Sequence, residues 1–220
     1  MKFRLFILLL FLSVRGFAQG FEIFRNDGYT LVFTNNDPAL DKTLKSKLIT
    51  TFFKVYPLLA KEYNRKTAKQ VYMLVDTAYK GVAATDNAHV RISAAWFHKH
   101  PEDIDVVTHE VMHIVQDYKE SVGPGWLTEG IADYARYKFG VNNAAANWSL
   151  PPYAAGQNYT DSYRRTARFL AWIEMHEKKN IVKKLDKSLR DHTYTADTWK
   201  DITGKSLDDL WKEYVADPGL

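Results

Sequence analysis

The chain contains the run Thr108-His-Glu-Val-Met-His113, in which two histidines stand four positions apart with a glutamate beside the first. On an α-helix such histidines lie about 40° apart around the axis and about 6 Å apart along it, so both imidazoles can reach one cation. Glu110 lies about 100° around the axis from His109 and therefore flanks that cation. The spacing predicts one helix that presents two zinc ligands, His109 and His113, and a general base, Glu110.

The residues around this run predict a helix over 102–118. Pro101 and the two acids after it suit a first helical turn. Apolar residues at helical spacing form one stripe, and at about 100° per residue both histidines point away from it, towards a cleft or water. The alternative interpretation is two solvated histidines on a helix surface. The stripe consists of Ile104, Val107, Val111, Ile114 and Tyr118.

A catalytic zinc takes three protein ligands and leaves one position open, so a third ligand is needed. The metzincin pattern requires Gly and His where Gln116 and Lys119 stand, which excludes that class. Glu129 follows His113 by sixteen residues, after a turn with two glycines and a proline, so its helix can return and aim it at the metal. Asp133, one turn later on the same face, can hydrogen-bond the free ring nitrogen of a ligand histidine. The alternative for both acids is a solvated helix face.

These groups together predict metal-assisted hydrolysis of an amide bond. Glu110 would take a proton from the attacking water and pass it to the leaving amine. The tetrahedral oxyanion needs a further donor, and three candidates lie near the start of a helix predicted over 161–177. By residue type alone, a structural role is the favoured interpretation for each of them. They are Tyr159, Tyr163 and Arg164.

The order of secondary structure predicts an α+β fold, with a mixed sheet first and helices after it. A long helix from Ala39 to Tyr63 belongs to the first half, and Pro57 inside it is expected to kink or break it. The strands are predicted over Tyr29–Thr34, Val71–Val75 and His89–Phe97, and further helices over 128–139, 161–177, 180–190 and 206–215.

The N-terminus has the pattern of a secretory signal peptide over residues 1–18. Basic residues come first, an apolar run covers Leu5–Leu12, and Gly16 and Ala18 provide the small residues before a cut. The run is shorter than the roughly 20 residues of a membrane-spanning helix. Arg15 favours the alternative, an uncleaved anchor.

The composition excludes several classes of function. Among 220 residues there is no Cys, which excludes disulfide frameworks, thiolate metal sites and cysteine nucleophiles. The net charge is +4, and three of the basic residues lie in the predicted signal peptide, so a nucleic-acid partner has little support. Residues 19–220 are long enough for one domain, in one piece or as lobes over 19–120 and 121–220.

Four stretches, in order along the chain, resemble the basic secretory protein family of plants and bacteria, which is classed among zinc peptidases. They are Thr108–Gln116, Gly125–Arg136, Ser162–Leu170 and Gly204–Tyr214.

The resemblance implies a gluzincin-like, zincin-type site with one Zn²⁺ per chain, held by the two histidines and Glu129. Asp133 then supports a ligand histidine. Tyr163 becomes the preferred oxyanion donor, because a tyrosine recurs at that place in the family. By analogy with zincins, the strand around Ser93 and Ala94 is expected to pair with the substrate backbone.

The leading hypothesis is an exported, monomeric zinc peptidase that is secreted or periplasmic. It would act on peptide or protein substrates, bind no nucleic acid, and have no membrane span once the signal peptide is removed. The alternative is a non-catalytic binding protein on a zincin scaffold, with a cell-wall, glycan or protein partner.

Overall fold

The computed structural model describes residues 20–119 and 123–220 and has the predicted α+β architecture. The sheet belongs to the first half of the chain, and the second half is helical apart from its loops. The predicted signal peptide lies outside the described residues. Within the described part, no helix combines the length and the apolar character that a membrane crossing requires.

A five-stranded mixed sheet forms one layer of the fold, with strand order β1-β2-β3-β5-β4. The three inner strands are parallel, and both edge strands run antiparallel to their neighbours. The three inner strands correspond to the three predicted ones, whereas the two edge strands were not predicted. The strands are β1 (Phe21–Asn26), β2 (Tyr29–Asn35), β3 (Gln70–Asp76), β4 (Ala83–Asp86) and β5 (His89–Ser93).

Eight helices of the described chain cover the sheet and build the second half. The predicted helices are confirmed to within a few residues, and the helices at Ala94–Lys99 and Thr198–Thr203 are additional. A 3₁₀ turn at Tyr159–Asp161 ends the loop that starts at residue 140. The helices are α1 (Lys42–Glu62), α2 (Ala94–Lys99), α3 (Val106–Gln116), α4 (Gly125–Phe139), α5 (Tyr163–His176), α6 (Ile181–Arg190), α7 (Thr198–Thr203) and α8 (Leu207–Ala216).

Helix α1 is continuous, so the predicted break at Pro57 is wrong. The helix begins at Lys42 rather than Ala39, because the Asp41 side chain accepts a hydrogen bond from the backbone N–H of Leu44 and caps the first turn. Pro57 is only partly buried, and the buried stripe on the other residues of the helix packs into the core. Tertiary packing of that stripe outweighs the hydrogen bond that a proline removes.

Helix α3, which carries the histidine motif, begins at Val106 and not at residue 102. The acids that were expected in its first turn bind elsewhere. Glu102 pairs with Lys47, and Asp103 pairs with Arg136 of α4. Asp105, directly before the helix, accepts hydrogen bonds from the backbone N–H groups of Val141 and Asn142. The predicted apolar stripe is confirmed as core, since all five of its members are at most 6% exposed.

Side chains from other elements bind the last backbone carbonyls of α3, which have no partner inside the helix. Asn64 donates to the carbonyl of Val115 at 3.0 Å, and Thr67 donates to that of Ile114 at 3.2 Å. Together with the Asp105 contacts at its start, these bonds hold α3 at both ends. The motif histidines therefore sit on a rigid element.

Candidate metal centre

Helices α3 and α4 bring the three predicted ligands together. The Nε2 atoms of His109 and His113 lie 3.1 Å apart, and Glu129 Oε2 lies 3.2 Å and 3.6 Å from them. Ligand–zinc distances of 2.0–2.1 Å in a tetrahedral site correspond to ligand–ligand separations of about 3.3 Å. The spacing of the three atoms therefore fits a zinc ion.

Each histidine is held through its other ring nitrogen. Asp133 Oδ1 lies 2.7 Å from Nδ1 of His109, and Gln116 Oε1 lies 2.7 Å from Nδ1 of His113. Both oxygens are acceptors, so each Nδ1 carries the proton and donates it. In the neutral imidazole this leaves the lone pair of each Nε2 facing the centre, as a metal ligand requires.

Gln116 is a site residue that the sequence did not reveal as one. Its side-chain amide also donates to the carbonyl of Thr128 at 2.9 Å, so it ties α3 to the start of α4 next to Glu129. Its position three residues after His113, on the same face of the helix, is the only sequence cue to this role.

The electrostatics of the cluster favour a cation. Burial alone would lower the pKa of His109, but hydrogen bonds with Asp133 and Glu129 outweigh burial and raise that pKa to about 10. Burial likewise raises the pKa of Glu129, yet the two histidines outweigh it and bring that pKa well below its ordinary value. The two imidazole nitrogens and the Glu129 oxygen face one another, and carboxylates surround them. This is a donor set suited to Zn²⁺.

Glu110 lies beside the cluster and is held by the edge strand of the sheet. Its Oε2 accepts a hydrogen bond of 2.6 Å from the hydroxyl of Thr85 on β4, and the same hydroxyl lies 3.1 Å from the Glu110 carbonyl oxygen. The glutamate is 5% exposed, but it lines the same cavity as the histidines. Thr85 was not predicted, because no motif marks it.

Tyr163, the first residue of α5, lies over the ring of His109 in the cluster. Its ring stacks on that of His109 with 6.2 Å between centroids, and its side chain is largely exposed. The charge of Glu129, with a smaller contribution from burial, raises the pKa of Tyr163, so its hydroxyl stays protonated and able to donate at neutral pH. Gly130 allows α5 to pack closely against α4, because a Cβ at Gly130 would lie 2.2 Å from the side chain of Thr166 of α5.

The backbone that places Tyr163 is strained. Ser162 has φ +69° and ψ 177°, a region that almost only glycine occupies, and Tyr163 itself has φ +50°. Such strain costs about 1–3 kcal/mol per residue and is concentrated at functional sites.

Replacing Ser162 with glycine is expected to raise the free energy of unfolding by about 1 kcal/mol, because relief of strain exceeds the added entropy of the unfolded chain. Urea denaturation measures this change. A Ser149→Gly variant, in the neighbouring loop where φ is negative, serves as the control and should not be stabilised. A destabilised Ser162→Gly protein would show that the backbone there is not strained.

The predicted substrate strand at Ser93 and Ala94 is wrong. Strand β5 lies inside the sheet, paired with β3 on one side and β4 on the other, so no substrate can pair with it. It ends at Ser93, whose hydroxyl accepts from the N–H of Trp96 and caps α2, and Ala94 is already helical. The edge strand on that side of the sheet is β4.

A cavity of about 1430 Å³ runs along α3 with the cluster in its middle. One end lies by the start of α3 and is lined by Trp96, Asp103, Arg136, Trp148 and Arg164. The other end lies by the end of α3 and is lined by residues such as Lys66, Asp86, Asp117 and Lys119. Of the candidate oxyanion donors, Tyr159 does not line this cavity, since its hydroxyl donates to Asp208.

Comparison with solved structures supports the fold. The chain superposes on an aminopeptidase N family protein from Idiomarina loihiensis with a TM-score of 0.55 and 11% identity, over 89% of this chain and 46% of that one. A variant of the M1 zinc metallopeptidase from Deinococcus radiodurans, bound to a Tyr-Ser-Ala substrate, gives a TM-score of 0.48 and 14% identity, over 90% and 48%. The chain thus spans about half the length of these structures.

A comparison with curated protein sequences gives no significant match. The profile of the family described as peptidases of plants and bacteria matches residues 31–214, which include α3, α4 and α5 with all the site residues above. The chain therefore belongs to this family, the basic secretory proteins.

Proposed function

We propose that the protein is an exported zinc-dependent peptidase. The observation that carries the proposal is the convergence of His109, His113 and Glu129 on one point, with both imidazoles held in the tautomer that a metal needs. The peptidase family and the fold shared with an aminopeptidase N family protein are consistent with it. Export rests on the signal-peptide pattern in the sequence.

The three side chains would hold one Zn²⁺, which in such a site lowers the pKa of a water molecule and polarises the substrate carbonyl. Glu110 takes a proton from the attacking water and later gives it to the leaving amine. Thr85 fixes the carboxylate of Glu110 for this transfer through the 2.6 Å hydrogen bond. Tyr163 donates its hydroxyl proton to the oxyanion as a hydrogen bond.

The substrate is a peptide in an extended conformation. Strand β4 pairs with β5 on one side only, and its four residues line the cavity beside Glu110. The free backbone groups of an edge strand bind an extended chain by β-strand addition. This placement puts a peptide bond within reach of Glu110, because Thr85 belongs to the same strand.

Digestion of a peptide library tests the proposal. The purified protein, loaded with zinc, should cleave peptides, and a chelator should abolish cleavage until zinc is added back, because two imidazoles and one carboxylate cannot polarise a carbonyl without the ion. Heat-inactivated protein with zinc is the control. Stoichiometric zinc without any cleavage would favour the alternative, a binding protein on this scaffold.

A further inference from the structure

Two of the Lys and Arg side chains in the cavity wall, Arg164 and Lys66, take part in no ion pair among the described residues. Arg164, the second residue of α5, follows Tyr163 and lines the same cavity as Glu110. Its guanidinium has one hydrogen bond in the described chain, from Nη1 to the carbonyl of Ser149 at 3.4 Å, and it takes part in no described ion pair. A guanidinium has five donors, so most of those of Arg164 remain available to a ligand.

The two remaining cations of the cavity wall, Arg136 and Lys119, each have a carboxylate partner. At the end near Arg164, Arg136 pairs with the buried carboxylate of Asp103 and lies 4.4 Å above the ring of Trp148. At the far end Lys119 pairs with Asp117, and Lys66 shares that end with Asp86. Arg164 is therefore the cation without a carboxylate partner at the end of the cavity that lies beside Tyr163, among the residues that the structure describes.

The surroundings of Arg164 suit an anionic group of a substrate. Trp148 and the loop before it line this end, and Arg164 directly follows Tyr163, whose ring stacks on that of the predicted ligand His109. The planar guanidinium binds a carboxylate through two parallel hydrogen bonds, which fixes both its place and its orientation. A carboxylate bound there would belong to a residue close to the scissile bond, because Arg164 is adjacent to Tyr163.

We propose that Arg164 binds a carboxylate of the peptide substrate, so that the protein prefers peptides with a carboxylate at that place over their neutral counterparts. The carboxylate is either an Asp or Glu side chain or the C-terminus of the peptide. This inference rests on the proposed peptidase function and adds the substrate class to it.

A different role for Arg164, as donor to the oxyanion, has a different kinetic result. The oxyanion forms with every substrate, so loss of such a donor lowers kcat for all peptides alike. Loss of a carboxylate site raises KM, and only for peptides that carry the carboxylate. The ratio of kcat/KM values for matched peptides therefore separates the two roles.

The test uses a set of quenched fluorogenic peptides of one parent sequence, with Glu or Gln at each position around the cleaved bond and with a C-terminal acid or amide. Wild-type protein should prefer Glu over Gln at one position, or acid over amide, by about tenfold, the effect of one partly exposed charge-assisted contact. Arg164→Gln should remove that preference, mainly through KM.

Two further variants define the site. Arg165→Gln is the matched control, because Arg165 is the next residue, pairs with Asp161 and does not line the cavity; it should keep the preference. If Lys66→Gln removes the preference and Arg164→Gln does not, the carboxylate binds at the other end and the proposal is wrong. An unchanged preference in Arg164→Gln, or equal loss of kcat on all peptides, also overturns it.

Binding without turnover separates this proposal from the peptidase proposal. In zinc-loaded Glu110→Gln protein, fluorescence anisotropy should show about tenfold tighter binding of the Glu or acid peptide than of its neutral match, and Arg164→Gln should abolish the difference. If wild-type protein cleaves nothing but this difference is present, the carboxylate site stands and the peptidase proposal fails. If the difference is absent while cleavage depends on zinc, only the carboxylate site fails.

Discussion

Replacing Glu110 with glutamine is expected to reduce peptide hydrolysis by about a thousandfold while zinc stays bound. The amide keeps the size and the hydrogen-bond acceptor that Thr85 binds at 2.6 Å, but it cannot take up a proton. The ligand atoms belong to other residues, so metal content is expected to remain one zinc per chain. The measurements are kcat/KM on the parent peptide and metal analysis of the same sample.

Glu102→Gln is the matched control for this variant. Glu102 precedes α3, binds Lys47 and Asn142 away from the cavity, and should leave kcat/KM unchanged. Thr85→Val removes the hydroxyl that orients Glu110 and should give an intermediate loss of about tenfold. Full activity of Glu110→Gln would exclude Glu110 as the base and remove the proposed mechanism.

The parts of the site that the sequence predicted are those that depend on local geometry. On any helix, the spacing of His109, Glu110 and His113 brings both imidazoles to one cation with the glutamate beside it. The apolar stripe of α3 indicated that the segment is helical. Glu129 and Asp133 required one more step, the return of α4 after a turn. The two helices are arranged as this step assumed, because His109 of α3 lies beside Glu129 and Asp133 of α4.

The parts that the sequence did not predict depend on tertiary packing. Thr85 gains its role because a short edge strand lies beside α3, and the residues of β4 have no pattern of their own. The strand predicted up to Phe97 ends at Ser93 because Ser93 caps a helix, and the short apolar run after it has no period that distinguishes a strand from a helix. Ser93 and Ala94 were therefore expected to lie in the edge strand beside the site and to contact the substrate, whereas that edge strand is β4.

Removal of the third ligand is the second large effect expected. Glu129→Ala leaves two imidazoles in the cluster, and zinc affinity should fall by about a hundredfold or more, because one of three protein ligands is lost. The positioning residues should have smaller effects: Asp133→Leu and Gln116→Leu each lose one of the hydrogen bonds that hold a ligand histidine, which typically costs 10–100-fold in metal affinity. Competition with a fluorescent zinc chelator gives the affinities, and Asp86→Ala, another carboxylate that lines the cavity, is the control.

The order of these affinities carries more information than any single value. If Glu129 is a ligand and the other two residues only orient ligands, the loss is greatest for Glu129→Ala and the effect on the melting temperature follows the same order, since zinc stabilises the folded state by mass action. Without zinc the order should disappear, because the three variants then differ only in local hydrogen bonds. Equal zinc affinity of Glu129→Ala and wild type would mean that the metal binds elsewhere, and the convergence of α3 and α4 would then be a hydrogen-bonded cluster rather than a metal centre.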